Sequence, residues 1–238
     1  TTYKEIRGTN IEVLATDPSN PVLGQVWYNS TSNVVKAQSF NSGSWATGNN
    51  MNTGRDFVGS AGTQTAALAF GGAQTRLNNT EAYNGTNWTE LNNMNTGRMV
   101  DQGLGATNTA ALACGGSEPD NVKSAKTETW NGTNWTEVND LNTTRNNIGG
   151  AGTNTAGICF GGATPPGQQA DNIVTELWNG TNWTEVNNLN TGRYGPRGAG
   201  TQTAAVGFGG TTGSYSTATE IYNGTAWATS PATLATAR

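Results

Sequence analysis

Apolar residues in this chain come in short clusters separated by polar, glycine-rich stretches, and the clusters recur. Residues 61–72 read AGTQTAALAFGG, 105–116 GATNTAALACGG, 151–162 AGTNTAGICFGG and 199–210 AGTQTAAVGFGG. Each is followed by a variable stretch and a second fixed block: EAYNGTNW (81–88), ETWNGTNW (128–135), ELWNGTNW (176–183) and EIYNGTAW (220–227). Arginines mark the boundaries at Arg7, Arg55, Arg98, Arg145, Arg193 and Arg238. Runs this short suit strands, not helices.

The second module predicts four strands, near 56–61, 65–70, 80–84 and 87–92. In the third, Glu81 and Tyr83 share one face and Ala82 takes the other. Asn-Gly between the third and fourth strands, as at Asn84-Gly85 and Asn131-Gly132, predicts a hairpin with a type I′ turn. The di-glycine ends the second strand, where backbone turns or approaches closely. Four short strands per ~45 residues is the signature of a β-propeller blade. Five modules are expected in one all-β domain: 1–54, a degenerate first blade, then 55–97, 98–144, 145–192 and 193–238. In the first, FNSGSW (40–45) matches the YNGTNW block, GQVWYN (24–29) stands for the di-glycine strand, and IEVLA (11–15) can supply the innermost strand.

Small side chains in the second strands, such as Ala66, Ala67 and Ala69, let neighbouring sheets approach. The Trp of each fourth strand supplies bulk between blades. No strand mixing the two termini is visible. Five self-contained blades closing by side-chain packing is the expectation, with a fragment of a longer array as the alternative.

Composition narrows the function. Only 34% of residues are hydrophobic and 12% charged, but eight Trp, six Tyr and five Phe at regular places argue against disorder. Net charge is −4. Lysine is confined to Lys4, Lys36, Lys123 and Lys126, so no basic patch exists for nucleic acid. No apolar stretch approaches the ~20 residues of a membrane span, and no signal peptide is visible.

Histidine is absent, which removes the commonest general base and metal ligand. No enzyme activity, metal or cofactor is expected. Glu81, Glu128, Glu176 and Glu220 recur at one repeat position and read as structural partners for backbone donors or the boundary arginines. Cys114 and Cys159 occupy neighbouring, not equivalent, repeat positions, so they are expected to point differently on adjacent blades, as buried free thiols. Asn-Gly-Thr and Asn-Trp-Thr sequons are explained by turn chemistry rather than glycosylation.

Recognition is the remaining possibility. Loops from the fourth to the next first strand, and from the second to the third, emerge on one face. The latter are the most variable: 73–79, 117–127, 163–175 and 211–218. Arg55, Arg98, Arg145 and Arg193, with Arg7 or Arg238, fall at that end. They could form a donor ring for carboxylates, sulfates or sugar hydroxyls, or pair with carbonyls and glutamates. In the longest loop Pro165, Gln168 and Gln169 are candidate contacts.

The di-glycines, the third-strand aromatics Tyr83, Trp130, Trp178 and Tyr222, and the fourth-strand Trp88, Trp135, Trp183 and Trp227 resemble kelch repeats over residues 40–238. The first module lacks the di-glycine. Some kelch-like propellers carry a histidine-built copper oxidase site, which this sequence cannot supply. The wording AGTQTAALAFGG, then TExYNGTNWTE and NNLNTGR, together with residues 3–36, also resembles tail-fibre and other virion proteins of marine tailed bacteriophages. That resemblance implies an extracellular virion component: an oligomeric adhesion module meeting a host-surface glycan or protein and other virion proteins. The alternative it allows is a structural protein, a capsid decoration or tail ornament. A cellular kelch interaction module ranks below both.

Overall fold

The computed structural model describes residues 11–19, 25–37, 46–73, 75–166 and 172–238. Strands dominate it, with one 3₁₀ turn at Pro119–Asn121 among the described residues. There are five sheets, one per module. The chain divides into two compact units, Thr1–Thr47 and Gly48–Arg238.

In the first unit β1 (Glu12–Leu14), β2 (Val26–Asn29) and β3 (Val34–Ala37) form a sheet in that order. β1 runs parallel to β2, and β2 pairs antiparallel with β3. Among the described residues this module thus contributes three strands, and IEVLA enters as an edge strand. Its hub is Asp17, whose carboxylate accepts bonds from Lys36 Nζ (2.6 Å), Asn29 Nδ2 (2.7 Å) and Trp27 Nε1 (3.0 Å). These three donors, Lys36 first, hold its pKa at about 2. Arg7 and FNSGSW (40–45) lie outside the described residues.

The second unit holds four blades, each an antiparallel four-stranded sheet in sequence order. The second blade is β4 (Gly59–Thr63), β5 (Ala66–Phe70), β6 (Thr80–Tyr83) and β7 (Trp88–Leu91). The third is β8 (Gln102–Thr107), β9 (Ala110–Cys114), β10 (Thr127–Trp130) and β11 (Trp135–Val138). The fourth is β12 (Gly149–Gly152), β13 (Gly157–Phe160), β14 (Thr175–Trp178) and β15 (Trp183–Val186). The fifth is β16 (Arg197–Thr201), β17 (Ala204–Phe208), β18 (Thr219–Tyr222) and β19 (Trp227–Thr229). The strands predicted for the second module fall within a few residues of β4–β7.

The Asn-Gly hairpins form where expected, but with a different turn. Asn84 N–H bonds to Asn87 O at 3.1 Å, and positive φ falls on Gly85 (+91°) while Asn84 and Thr86 avoid it. That places Gly85 first of two central residues, as in a II′ turn. Asn84 works through its side chain, whose Oδ1 accepts the N–H groups of Thr86 and Asn87.

Neighbouring blades pack face to face. Leu68 and Phe70 of the second blade meet Ala111, Ala113, Trp130 and Trp135 of the third. Ile158 and Phe160 of the fourth meet Ala205, Tyr222 and Trp227 of the fifth. The Phe70–Trp135 and Phe160–Trp227 ring centroids are 4.7 Å apart. Each Trp buries roughly 150–250 Å², worth about 4–6 kcal/mol before ordering costs. The predicted role of Trp as bulk between blades is what the structure shows.

The di-glycine is the joint with the next blade. Gly72 N–H bonds to Arg98 O (3.1 Å), Gly116 to Arg145 O (3.1 Å) and Gly162 to Arg193 O (2.9 Å). A Cβ on Gly116 would lie 1.9 Å from Met99 O, so no side chain fits there.

Candidate functional site

The boundary arginines do not form an open donor ring. The side chains of Arg55, Arg98, Arg145 and Arg193 are at most 1% exposed. Each bonds one glutamate: Arg55 to Glu81 (2.8 Å), Arg98 to Glu128 (2.5 Å), Arg145 to Glu176 (3.0 Å) and Arg193 to Glu220 (2.7 Å). Other guanidinium donors reach carbonyls, as Arg145 does at Gly161 O and Val174 O, while the Nε groups of Arg55 and Arg145 are buried without a partner. The glutamate's other oxygen accepts the link that precedes the arginine; Asn142 gives Glu176 both its N–H (2.7 Å) and its side-chain amide (2.9 Å). A guanidinium in a dry interior is stable only when paired and hydrogen-bonded, so these groups are committed to the fold and unavailable to a ligand. The structural reading of the four glutamates holds.

The link also ties successive blades. Its main chain bonds backward, as Leu141 N–H does to Ala125 O (2.9 Å), while its arginine side chain bonds forward into its own blade.

The variable loops lie above these clamps and brace one another. Arg76, in the loop of the second blade, donates to Glu118 O (3.1 Å) and to Asn121 Oδ1 in the loop of the third. Lys123 Nζ reaches Thr164 O at the start of the next loop, 2.8 Å away. Pro165 is exposed on this face. Gln168 and Gln169 lie outside the described residues.

A polar cleft of about 300 Å³ opens at the same end, where the starts of β4, β8 and β16 converge. Ser60, Asp101, Gln102 and Arg197 supply its polar side chains, and Phe57, Val58 and Val100 its apolar wall. Arg197 is exposed, with Nη1 3.4 Å from Asp101 O. The Asp101 carboxylate is buried and accepts the Asn147 N–H at 2.5 Å. Burial pushes its pKa up to about 6, against the Asn147 bond and the charges of Arg197 and Arg76. Nearby Tyr194 is also pushed up, by burial and then by the Asp101 charge. This cleft offers one open guanidinium, one carboxylate and neutral donors, a set suited to a hydroxylated ligand bearing an anionic group. The far ends of the inner strands border a cleft of about 620 Å³, lined by Ala106, Gly152, Gly200 and other residues, none of them charged.

Asp101 and Arg197 were not singled out from the sequence, although a signal was there. Arg98 stands 17 residues before its di-glycine, where Arg55, Arg145 and Arg193 stand 16 before theirs. Asp101 sits in that longer stretch, ahead of a register shift in β8. Arg197 occupies the repeat position held by Gly59 and Gly149.

The cysteines correct a second expectation. Cys114 and Cys159 are free and buried, but they do not point apart: Sγ lies 3.1 Å from Sγ. Successive positions do face opposite sides of a strand. Since adjacent blades stack in the same sense, opposite faces of neighbouring sheets are the ones that meet.

No protein-family model matches the chain, and no curated protein matches it.

Proposed function

We propose that this protein is a non-enzymatic, kelch-like adhesion module of a phage virion that recognises a host-surface glycan or protein through its variable-loop face. The observation that carries the reading is the cleft at the starts of β4, β8 and β16. There Arg197 is the open cation that the buried boundary arginines cannot be. Its guanidinium suits a carboxylate or sulfate, while Ser60, Gln102 and the Asp101 carboxylate suit hydroxyl groups. Cross-braced loops around the cleft support the same reading, because a face ordered in advance loses less entropy on binding. The resemblance to marine phage tail-fibre proteins supplies the setting.

Labelling intact particles with an antibody against the folded protein tests the setting. Signal at the tail tip or fibres, in a few copies, is the expected result. A regular lattice over the capsid would make the protein a decoration and overturn the adhesion reading.

A further inference from the structure

We propose that Cys114 and Cys159 are the two halves of a redox-controlled disulfide that fastens the third blade to the fourth. The two residues belong to β9 and β13, the second strands of adjacent blades, and their sulfurs are 3.1 Å apart. That is closer than the about 3.5–4.0 Å at which two carbon atoms, smaller than sulfur, rest against each other. Both side chains are fully buried, and the chain has no other cysteine. Neither thiol can therefore reach a second molecule while the blades are packed.

The repeat shows that the pair is a joint substitution. At the neighbouring interfaces a Phe on one blade faces a small residue on the next. Phe70 shares a cluster with Ala113, and a Cβ on Gly207 would lie 2.8 Å from Phe160 Cε2. Cys114 takes the Phe position and Cys159 the small one, at the same interface. One cysteine alone would leave a Phe-sized gap or a clash; together they fill the space and bring two thiols into contact.

Closing the bond removes two electrons and two protons from the pair. A small-molecule disulfide is the oxidant. One cysteine thiolate attacks it, forming a mixed disulfide and releasing one small thiolate. The second cysteine then attacks the protein-side sulfur, closing Cys114–Cys159 and releasing the other. The two thiol protons end on the two released thiols. Burial raises the Cys159 thiol, and its contact with Cys114 raises it further, so in the packed interface it stays protonated and inert. Exchange therefore occurs while the two blades are apart, during folding or on local opening. The finished bond shortens the unfolded chain's freedom across a separation of 45 residues.

The test refolds the reduced, denatured protein through a mixture of oxidised and reduced glutathione, then measures intact mass, free thiols after denaturation, and thermal melting. The expected product is 2 Da lighter, has no titratable thiol, and melts on the order of 5–10 °C above the reduced form. Cys114→Phe/Cys159→Ala restores the pairing of the neighbouring interface. It should fold, with a melting midpoint indifferent to the redox couple. Two free thiols in correctly refolded protein at every glutathione ratio would overturn the proposal. So would a disulfide form that melts no higher than the reduced one.

Discussion

The indole N–H of Trp183 donates to the hydroxyl of Thr127 at 3.0 Å, crossing from the fourth blade into the third. The same bond joins Trp135 to Thr80 (2.8 Å) and Trp227 to Thr175 (3.0 Å). A single residue thus fills the space between sheets and fixes their register, because the bond forms only when the ring enters at one depth. Trp183→Phe keeps most of the apolar area and removes the donor. It should cost about 1–2 kcal/mol. In a double-mutant cycle with Thr127→Val the two losses should be less than additive, by about 1 kcal/mol. Denaturant unfolding of the four proteins checks this.

The arginine clamps predict a larger effect. Glu176→Ala would strand the buried Arg145 guanidinium and the donors of Asn142 and Thr143. The expected loss is about 3–5 kcal/mol, because an unpaired buried charge retains its full desolvation cost. Soluble yield and unfolding midpoint report it. A loss below 1 kcal/mol would mean that the pair is not held dry.

The di-glycine joint can be tested by contrast. Gly116→Ala places a Cβ 1.9 Å from Met99 O, at φ +107°, and should destabilise by several kcal/mol. Gly195→Ala has φ +65° and nothing within 4 Å, so it should cost only about 1 kcal/mol. Equal effects at the two sites would contradict the close approach of the Met99 backbone to the di-glycine.

Asp101 gives stability a pH dependence with a definite sign. Its carboxyl titrates at about 6 in the folded protein and at the ordinary 3.8 when unfolded. Between those values the folded form holds more protons, so stability falls as pH rises from about 4 to 6 and is level beyond. The difference corresponds to about 3 kcal/mol. Asp101→Asn should therefore be more stable than the parent at pH 8 and little different at pH 3.5, with the gap opening between about pH 4 and 6. Melting curves across that range decide it.

The repeat makes the blades legible in the sequence, because di-glycine, Asn-Gly and Trp each have one physical job and recur at fixed spacing. The glutamates followed for the same reason. What the sequence hid was the relation between modules. Whether Arg145 faced solvent or Glu176 depends on how the link folds back, which no local pattern encodes. Asn84-Gly85 looked like the two centres of a turn, yet the strands close one residue further in, and only Gly85 takes positive φ. The Cys114–Cys159 contact is invisible from alternation within one strand, since it belongs to two sheets. Asp101 and Arg197 carry no repeat signal, because the cleft is built from departures from the repeat.

The proposed function requires that the loop face bind a host-surface ligand. Its most direct measurement is the affinity of the folded protein for bacterial surface polysaccharides on an array, and for intact bacterial cells, alongside Arg197→Ala. Arg197 is exposed, so its removal should leave the melting midpoint within about 1–2 °C of the parent. The expected result is binding by the parent and at least a roughly tenfold loss in the variant, as for one charge-assisted contact. No binding by the parent, or equal binding by the two proteins, would contradict it.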